Sequence, residues 1–140
     1  ANAYGHGVVP IAHALHKSAY FAVARLDEAL YLREQGIQKT ILLLEGVYTI
    51  EEYKICLQLQ LIPVIHSLEQ FYHLQSYCSA NDSDSIVEFW LKCDTGMHRI
   101  GLSADELSII LKQLNKIKNQ CLLSGLMSHF SCADEVDNPI

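Results

Sequence analysis

At 140 residues, half of them apolar and 19% charged, the chain is long enough for one domain with a real core, and its composition is that of an ordinary soluble globular protein. A net charge of −6 with no run of Lys or Arg offers no electrostatic footprint to nucleic acid or to an anionic membrane surface. The longest apolar stretches, such as Thr40–Leu44, are strand-sized, so no membrane span is expected, and no basic-then-apolar leader opens the chain.

Two periods alternate along the sequence. Ala1-Asn2-Ala3 reads as the stub of a strand. Short apolar, β-branched or aromatic runs then follow at Tyr20–Val23, Thr40–Leu44, Leu61–Ile65, Ile86–Lys92 and Leu122–His129. Amphipathic stretches of helical period lie between them, at Asp27–Gln35, Ile50–Leu59, Leu68–Tyr77 and Ala104–Ile117. Gly36 stands where the first of these helices should stop, at the C′ position, with Ile37 just beyond. Ser103 ahead of Ala104-Asp105-Glu106 is an N-cap followed by acids, and Thr49 ahead of Glu51-Glu52 is a second candidate. The polar segment Ser79–Ser85 reads as a surface loop.

The strand runs are apolar on both faces, as parallel strands covered by helices are. Repeated βα units without a glycine-rich dinucleotide fingerprint favour a (β/α) barrel over a doubly wound sheet. A complete barrel has eight strands and typically about 250 residues. The expected fold is therefore a partial (β/α)8 barrel of about five to six βα units, with residues 1–140 forming an incomplete N-terminal barrel domain. Its two flanking strands would be left without neighbours. The chain begins at Ala1 rather than Met and stops abruptly at Asn138-Pro139-Ile140, so it reads as a piece of a longer protein.

Cys56, Cys78, Cys93, Cys121 and Cys132 are odd in number, widely spaced and form no CxxC pair. That argues against a disulfide framework or a zinc knuckle and fits a reducing cytosol. In a (β/α) barrel the chemistry lies at the carboxyl ends of the strands. Those ends supply Tyr4-Gly5-His6-Gly7, Ala24-Arg25, Leu44-Glu45-Gly46, His66-Ser67, the group Lys92, Asp94, Thr95, His98 and Arg99, and finally His129. His6, His66, His98, His129 and Asp94 can be read as a metal cluster, although no HxH or HExxH spacing supports it. Each histidine alone can equally be a strand-end residue bonded to a backbone carbonyl.

Five motifs narrow the choice. AxAYGHG at the start, the run from Ala22 to Ile37 (AVARLDEALxLRExGI), ILLLEG from Ile41 to Gly46, LKCDTGMHRIG from Leu91 to Gly101 and MSHFSCADE from Met127 to Glu135 resemble the alanine racemase family, in family order and with family-like separations. The resemblance implies a pyridoxal 5'-phosphate enzyme that interconverts L- and D-alanine and supplies D-alanine for peptidoglycan. It further implies a cytoplasmic homodimer with a C-terminal β domain, which this chain does not include.

Carried over residue by residue, the resemblance makes Tyr4 a donor to the cofactor phosphate, Leu44 a residue packing at the cofactor and His129 the histidine against the pyridine ring. Arg99 matches the arginine that contacts the cofactor's phenolic oxygen and the substrate carboxylate, for which a planar guanidinium with paired donors is suited. Lys92 matches a lysine often carbamylated in the family. An unmodified Lys 4 Å from Arg99 would repel it by about 4 kcal/mol at an effective dielectric of 20, and a carbamate reverses that sign. No catalytic base falls within the chain. The Schiff-base lysine is expected just before Ala1, and the second acid–base residue, a tyrosine, belongs to the partner's C-terminal domain, so the 140 residues alone are expected to be inactive. A half-buried loop aromatic at Tyr4, a plain core leucine at Leu44 and a surface ion pair at Arg99 stay open as alternatives. So do a non-catalytic pyridoxal-phosphate-binding barrel protein and a broad-specificity amino-acid racemase.

Overall fold

A computed structural model describes residues 2–81, 85–117 and 119–135. Ten elements alternate along them: α1 (Val8–Ala14), β1 (Phe21–Val23), α2 (Leu26–Glu34), β2 (Ile41–Leu43), α3 (Glu52–Leu59), β3 (Leu61–Ile65), α4 (Leu68–Ala80), β4 (Val87–Lys92), α5 (Ala104–Leu114) and β5 (Cys121–Met127). The five strands form one sheet in the order β1-β2-β3-β4-β5, every pair parallel. Sequential order without a reversal is the order of a barrel wall; a doubly wound sheet would change direction part-way.

The register assigns the two faces. Ala22, Leu42 and Ile62 stand in one row across β1–β3, and Val64, Trp90 and Gly125 in another across β3–β5. Leu42, Ile62 and Val64 form their own cluster with Leu44, Trp90 and Met127, and no helical residue joins it. The alternate residues Ile41, Leu43, Ile65, Phe89 and Leu91 pack instead with Ala29, Leu32, Tyr53, Phe71, Leu74 and Ile110 from the helices. One face is thus covered by helices and the other by strand side chains, which is the section of a (β/α) barrel expected from the doubly apolar runs.

β4 and β5 keep this alternation through a bulge. Phe89 pairs with Leu123 but Trp90 pairs with Gly125, so Ser124 is the extra residue. A Cβ on Gly125 would lie 2.3 Å from the Trp90 ring, and Tyr20 meets the same indole edge-on at 6.0 Å between ring centroids. At the flank, Leu122 and Leu126 of β5 stay exposed.

The helix signals largely behave as their chemistry dictates. Gly36 follows the α2 cap with φ +79°, and Ile37 N–H donates to Leu32 O. The Arg33 guanidinium donates to the carbonyls of Ile37, Lys39, Leu59 and Gln60, tying the end of α2 to the turns that feed β2 and β3. Ser103 caps α5, its hydroxyl accepting from Glu106 N–H while the Glu106 carboxylate accepts from Ser103 N–H.

Several expectations need correction. Thr49 does not cap α3; the helix begins after Glu51, and the Glu52 carboxylate takes the N–H groups of Tyr48 and Thr49 instead. Asn2 and Ala3 are not strand: with Tyr4 they run through φ +48°, +51° and +56° in a left-handed turn. That turn is tied by Gly5 and Gly7 N–H to Asn2 O, while the Asn2 side chain accepts Val8 N–H. Ala1 lies outside the described residues. α1 was not anticipated, because seven residues with Pro10 in the first turn are too few to show a period. Ser79 and Ala80 belong to α4 rather than to a loop, and residues 82–84 lie outside the described residues. β5 ends at Met127, so His129 follows the strand rather than closing it.

Gly46, at φ +69°, has no room for a side chain: a Cβ there would lie 2.5 Å from Val64 O and 2.7 Å from the Gln70 amide nitrogen. Gly46→Ala in the full-length protein is expected to cost roughly 1–3 kcal/mol from backbone strain alone. Urea unfolding would measure it; an unchanged midpoint would mean the turn has slack that its packing denies.

Candidate active site at the strand ends

Tyr4, Leu44, Lys92, Arg99 and His129 all fall at or beyond the carboxyl ends of elements on the same side of the sheet, because each follows or ends a parallel strand or, for Tyr4, precedes α1. The turn that carries Tyr4 leaves its ring 94% exposed. Leu44 directly follows β2, and its N–H donates to Val23 O, continuing the ladder one residue past the strand. Leu44 and Tyr4 line the same cavity, of about 480 Å³, with Ala22, Val23, Ala24 and residues of α1. That cavity runs down the β1 flank as far as Ser18 and Tyr20, and Lys92, Arg99 and His129 do not line it. Of the five residues, Tyr4 and Leu44 therefore share a cavity that the other three do not line. His129, exposed, stands two residues past Met127, the register partner of Lys92.

Beside Leu44 a buried amide fixes the next turn. Gln70 is 6% exposed; its Nε2 donates to Glu45 O at 2.9 Å and to Val47 O at 3.4 Å, while its Oε1 accepts His66 N–H at 2.9 Å. The His66 Nε2 is 3.0 Å from the same Glu45 O, and the Tyr53 hydroxyl donates to Gln70 O. One side chain thus ties the ends of β2 and β3 to α3 and α4. Nothing in the sequence reading singled out Gln70; a glutamine four residues after a strand-end histidine is the signal that marks it.

The last residue of β4, Lys92, is buried at 8% exposure, one of two buried polar or charged residues in the core, and its ammonium has no hydrogen-bond or ion-pair partner among the described residues. The loop after it closes back on the strand. Leu102 N–H donates to Lys92 O at 2.8 Å, Asp94 N–H donates to Leu102 O at 2.9 Å, and Cys93 bridges Leu102. Gly101 permits this, since a Cβ would lie 2.5 Å from Asp94 N.

Within the loop, Asp94 Oδ1 accepts the N–H groups of Gly96 at 2.9 Å and His98 at 3.0 Å, and Oδ2 lies 3.1 Å from His98 Nδ1. The backbone donors of Gly96 and then His98 hold the Asp94 carboxyl below its ordinary range. Arg99 follows His98, is exposed, and has no hydrogen-bond or ion-pair partner among the described residues. The i, i+2, i+4 donor pattern after Asp94 is an Asx-type turn that Asp94-Thr95-Gly96 announces in the sequence.

The histidines do not assemble as a cluster. His66 is engaged by Glu45 O and Gln70, and His98 by Asp94. Among the described residues no three His, Cys, Asp or Glu side chains stand close enough to hold a metal ion. All five cysteines are free, and burial raises the pKa of the strand-end Cys93 thiol.

A sequentially ordered parallel sheet with helices on one face defines one sector of a (β/α) barrel. Comparison with known proteins gives the family. The chain matches the alanine racemase N-terminal domain model over residues 1–140 and belongs to the alanine racemase family. It is 40% identical to an alanine racemase of Aeromonas hydrophila subsp. hydrophila and 42% identical to one of Aliivibrio salmonicida, over 99% of this chain and 38% of each relative. It superposes on the crystal structure of the biosynthetic alanine racemase from Pseudomonas aeruginosa with a TM-score of 0.84 and 39% identity, covering 99% of this chain and 37% of that one. The chain thus spans little more than a third of the length of these proteins. No helix among the described residues is long and apolar enough to cross a membrane.

Because the folded Asp94 carboxyl is lowered, the anchor of the loop is complete at neutral pH and is lost only as pH falls through that lowered value, below the ordinary aspartate pKa of about 3.9. Amide proton shifts of Gly96 and His98, followed by NMR in the full-length protein, should stay folded-like through pH 4 and move only below it. A transition above pH 4 would show that the two N–H groups do not stabilise the carboxylate.

Proposed function

We propose that the full-length protein containing this chain interconverts L- and D-alanine with pyridoxal 5'-phosphate. It would act as a cytoplasmic homodimer whose D-alanine serves peptidoglycan synthesis. The observation that carries this reading is that Lys92, at the end of β4, and Arg99, within the tightly closed loop that follows, are cations without partners among the described residues, in a chain of the alanine racemase family. Free thiols throughout fit a reducing compartment.

The donor set at the strand ends fits the cofactor. A phosphate monoester and a phenolic oxygen call for O–H and N–H donors not already used, and the Tyr4 hydroxyl and the Arg99 guanidinium are such donors. A flat ring calls for an apolar wall, which Leu44 and its inner cluster offer, while the cavity of about 480 Å³ that Leu44 shares with Tyr4 would take the phosphate end alone, because Arg99 and His129 do not line it. Tyr4 would hold the phosphate, Leu44 and His129 would flank the ring, and Arg99 would take the phenolic oxygen and the substrate carboxylate. When bound, pyridoxal phosphate spreads the negative charge that builds on the substrate α-carbon as its proton leaves.

The chain's own residues orient rather than move protons. Arg99 would fix the alanine carboxylate so that the Cα–H bond faces a base, and Lys92, as a carbamate, would pair with Arg99 instead of repelling it. The groups that remove and return the α-proton are assigned to residues outside these 140. A broad-specificity racemase would share every one of these features, so alanine rests on the relatives' names; comparing rates on alanine, serine and lysine separates the two.

Racemisation of L-alanine by the full-length protein with pyridoxal phosphate, measured by circular dichroism, tests the reading directly. Arg99→Lys should lose charge-assisted hydrogen bonds of roughly 1.5–3 kcal/mol each and lower kcat/KM at least tenfold. Kinetics unchanged to within twofold would make Arg99 a surface residue. Lys92 is expected to carry extra density for a carbamate in crystals of the full-length protein. Removing bicarbonate should lower activity and adding it back should restore it; plain lysine density with activity indifferent to bicarbonate would leave Lys92 an unmodified strand-end cation.

A further inference from the structure

We infer that Asp94 is the positioning residue for Arg99: by committing both carboxylate oxygens inside the β4–α5 loop, it holds the loop in one shape and leaves the arginine unpaired for a substrate carboxylate. The inference rests on the strand-end reading above. An aspartate five residues from an arginine on a short loop would ordinarily be its nearest counter-ion, and an exposed pair of that kind would mask the guanidinium. Here three of the roughly four acceptor sites of the carboxylate are engaged within the loop. Oδ1 accepts from Gly96 N–H and His98 N–H, and Oδ2 meets His98 Nδ1.

The same bonds set the backbone on which Arg99 stands. His98 is held at φ +53°, a left-handed conformation uncommon outside glycine, and the Asp94 carboxylate grips that residue at both its N–H and its ring. On the other side of Arg99 and Ile100, Gly101 is pressed against the Asp94 backbone, and Leu102 is bonded in both directions to Lys92 and Asp94. Arg99 therefore sits between two residues that are each fixed to Asp94, one through its side chain and one through its main chain. The route by which Lys92 and Arg99 keep their relative placement is this closed loop. Asp94 does not touch the substrate in this account; it acts through Arg99.

The test uses the full-length enzyme with Asp94→Ala, Asp94→Asn, Arg99→Ala and the double variant Asp94→Ala with Arg99→Ala. Asp94→Ala should raise KM for alanine at least tenfold with a smaller effect on kcat. Asp94→Asn, whose Oδ1 can still accept both N–H groups, should stay within about threefold of the parent. In the Arg99→Ala background, adding Asp94→Ala should change KM by less than twofold, because the residue it positions is gone. Hydrogen exchange in the cofactor-free protein gives a readout independent of activity: residues 94–101 should exchange faster in Asp94→Ala and not in Asp94→Asn. Should Asp94→Ala fail to fold, Asp94→Glu keeps the charge but moves the oxygens by one methylene, and it should reproduce the KM rise. Effects of Asp94→Ala and Arg99→Ala that multiply, or a normal KM in both Asp94→Ala and Asp94→Glu while Arg99→Ala is impaired, would overturn the positioning role alone. A normal KM in Arg99→Ala would overturn the strand-end reading and this inference with it.

Discussion

The inner strands of this sheet, β2 and β3, bury both of their faces, and the ladder register decides which residue goes to which. Leu42, Ile62 and Val64 can fill the inner side only because Leu43, Ile65 and Phe89 take the helix side, and a slip of one residue would exchange the two sets. The bulge at Ser124 shows how strong that demand is. By adding one residue, β5 brings Gly125 rather than a larger side chain against Trp90, where the indole leaves no space for a Cβ. Lys92 follows from the same alternation. Two residues beyond Trp90, it shares the inner face with Met127 opposite, so the register, rather than any local attraction, carries a lysine stem into a place where most of it is buried.

The protein is acidic overall, yet two cations at its strand ends, Lys92 and Arg99, have no ion-pair partner among the described residues, while Arg25 pairs with Asp27. The resolution lies in how the acids are used. Glu28 turns its carboxylate back to the N–H groups ahead of α2, Glu52 does the same ahead of α3, Glu106 ahead of α5, and Asp94 inside its own loop. Each satisfies backbone donors that would otherwise be orphaned where a strand gives way to a helix. Backbone N–H groups take up much of the accepting capacity of these carboxylates, and a net charge of −6 coexists with a Lys92 and an Arg99 that have no partner among the described residues.

What could be read ahead of the structure was what depends on short-range chemistry. Gly36 and Ser103 mark helix ends by rules that act over four residues, and both stand where those rules put them. The strands declared themselves through runs of β-branched and apolar residues. The failures have a common cause, which is competition from a partner further away or of an unexpected kind. Thr49 lost its capping role because α3 starts later, with Glu51 at the N-cap position, although the Glu52 carboxylate still accepts the Thr49 N–H. Asn2-Ala3 looked extended, but the Asn2 side chain and carbonyl together gather three N–H groups and wind the segment left-handed. Gln70 gave only a faint local sign, its place four residues after the strand-end His66, since its amide also acts through Glu45 and Val47, some two dozen residues earlier. Of the site, Lys92, Arg99 and Leu44 could be located from the strand ends; which of them face one space could not, because that depends on the path of the loops.

The division of labour between strand and loop follows from pleat geometry. Only every second residue of β4 faces inward, about 7 Å apart along the strand, so at the level of Lys92 the strand can supply one side chain and no second one. Another cation at the same level has to come from the connection that follows. A loop residue begins at a disadvantage there, since ordering each one costs roughly 1–2 kcal/mol of backbone entropy. The segment after Lys92 meets that cost with bonds internal to the loop: the two-way pairing with Leu102, the close approach of Gly101 and the grip of Asp94 on Gly96 and His98. None of these involves the Arg99 side chain. Its guanidinium is left with all five donors while the backbone beneath it is fixed, the combination that an arginine needs if it is to receive a carboxylate rather than to hold its own fold together.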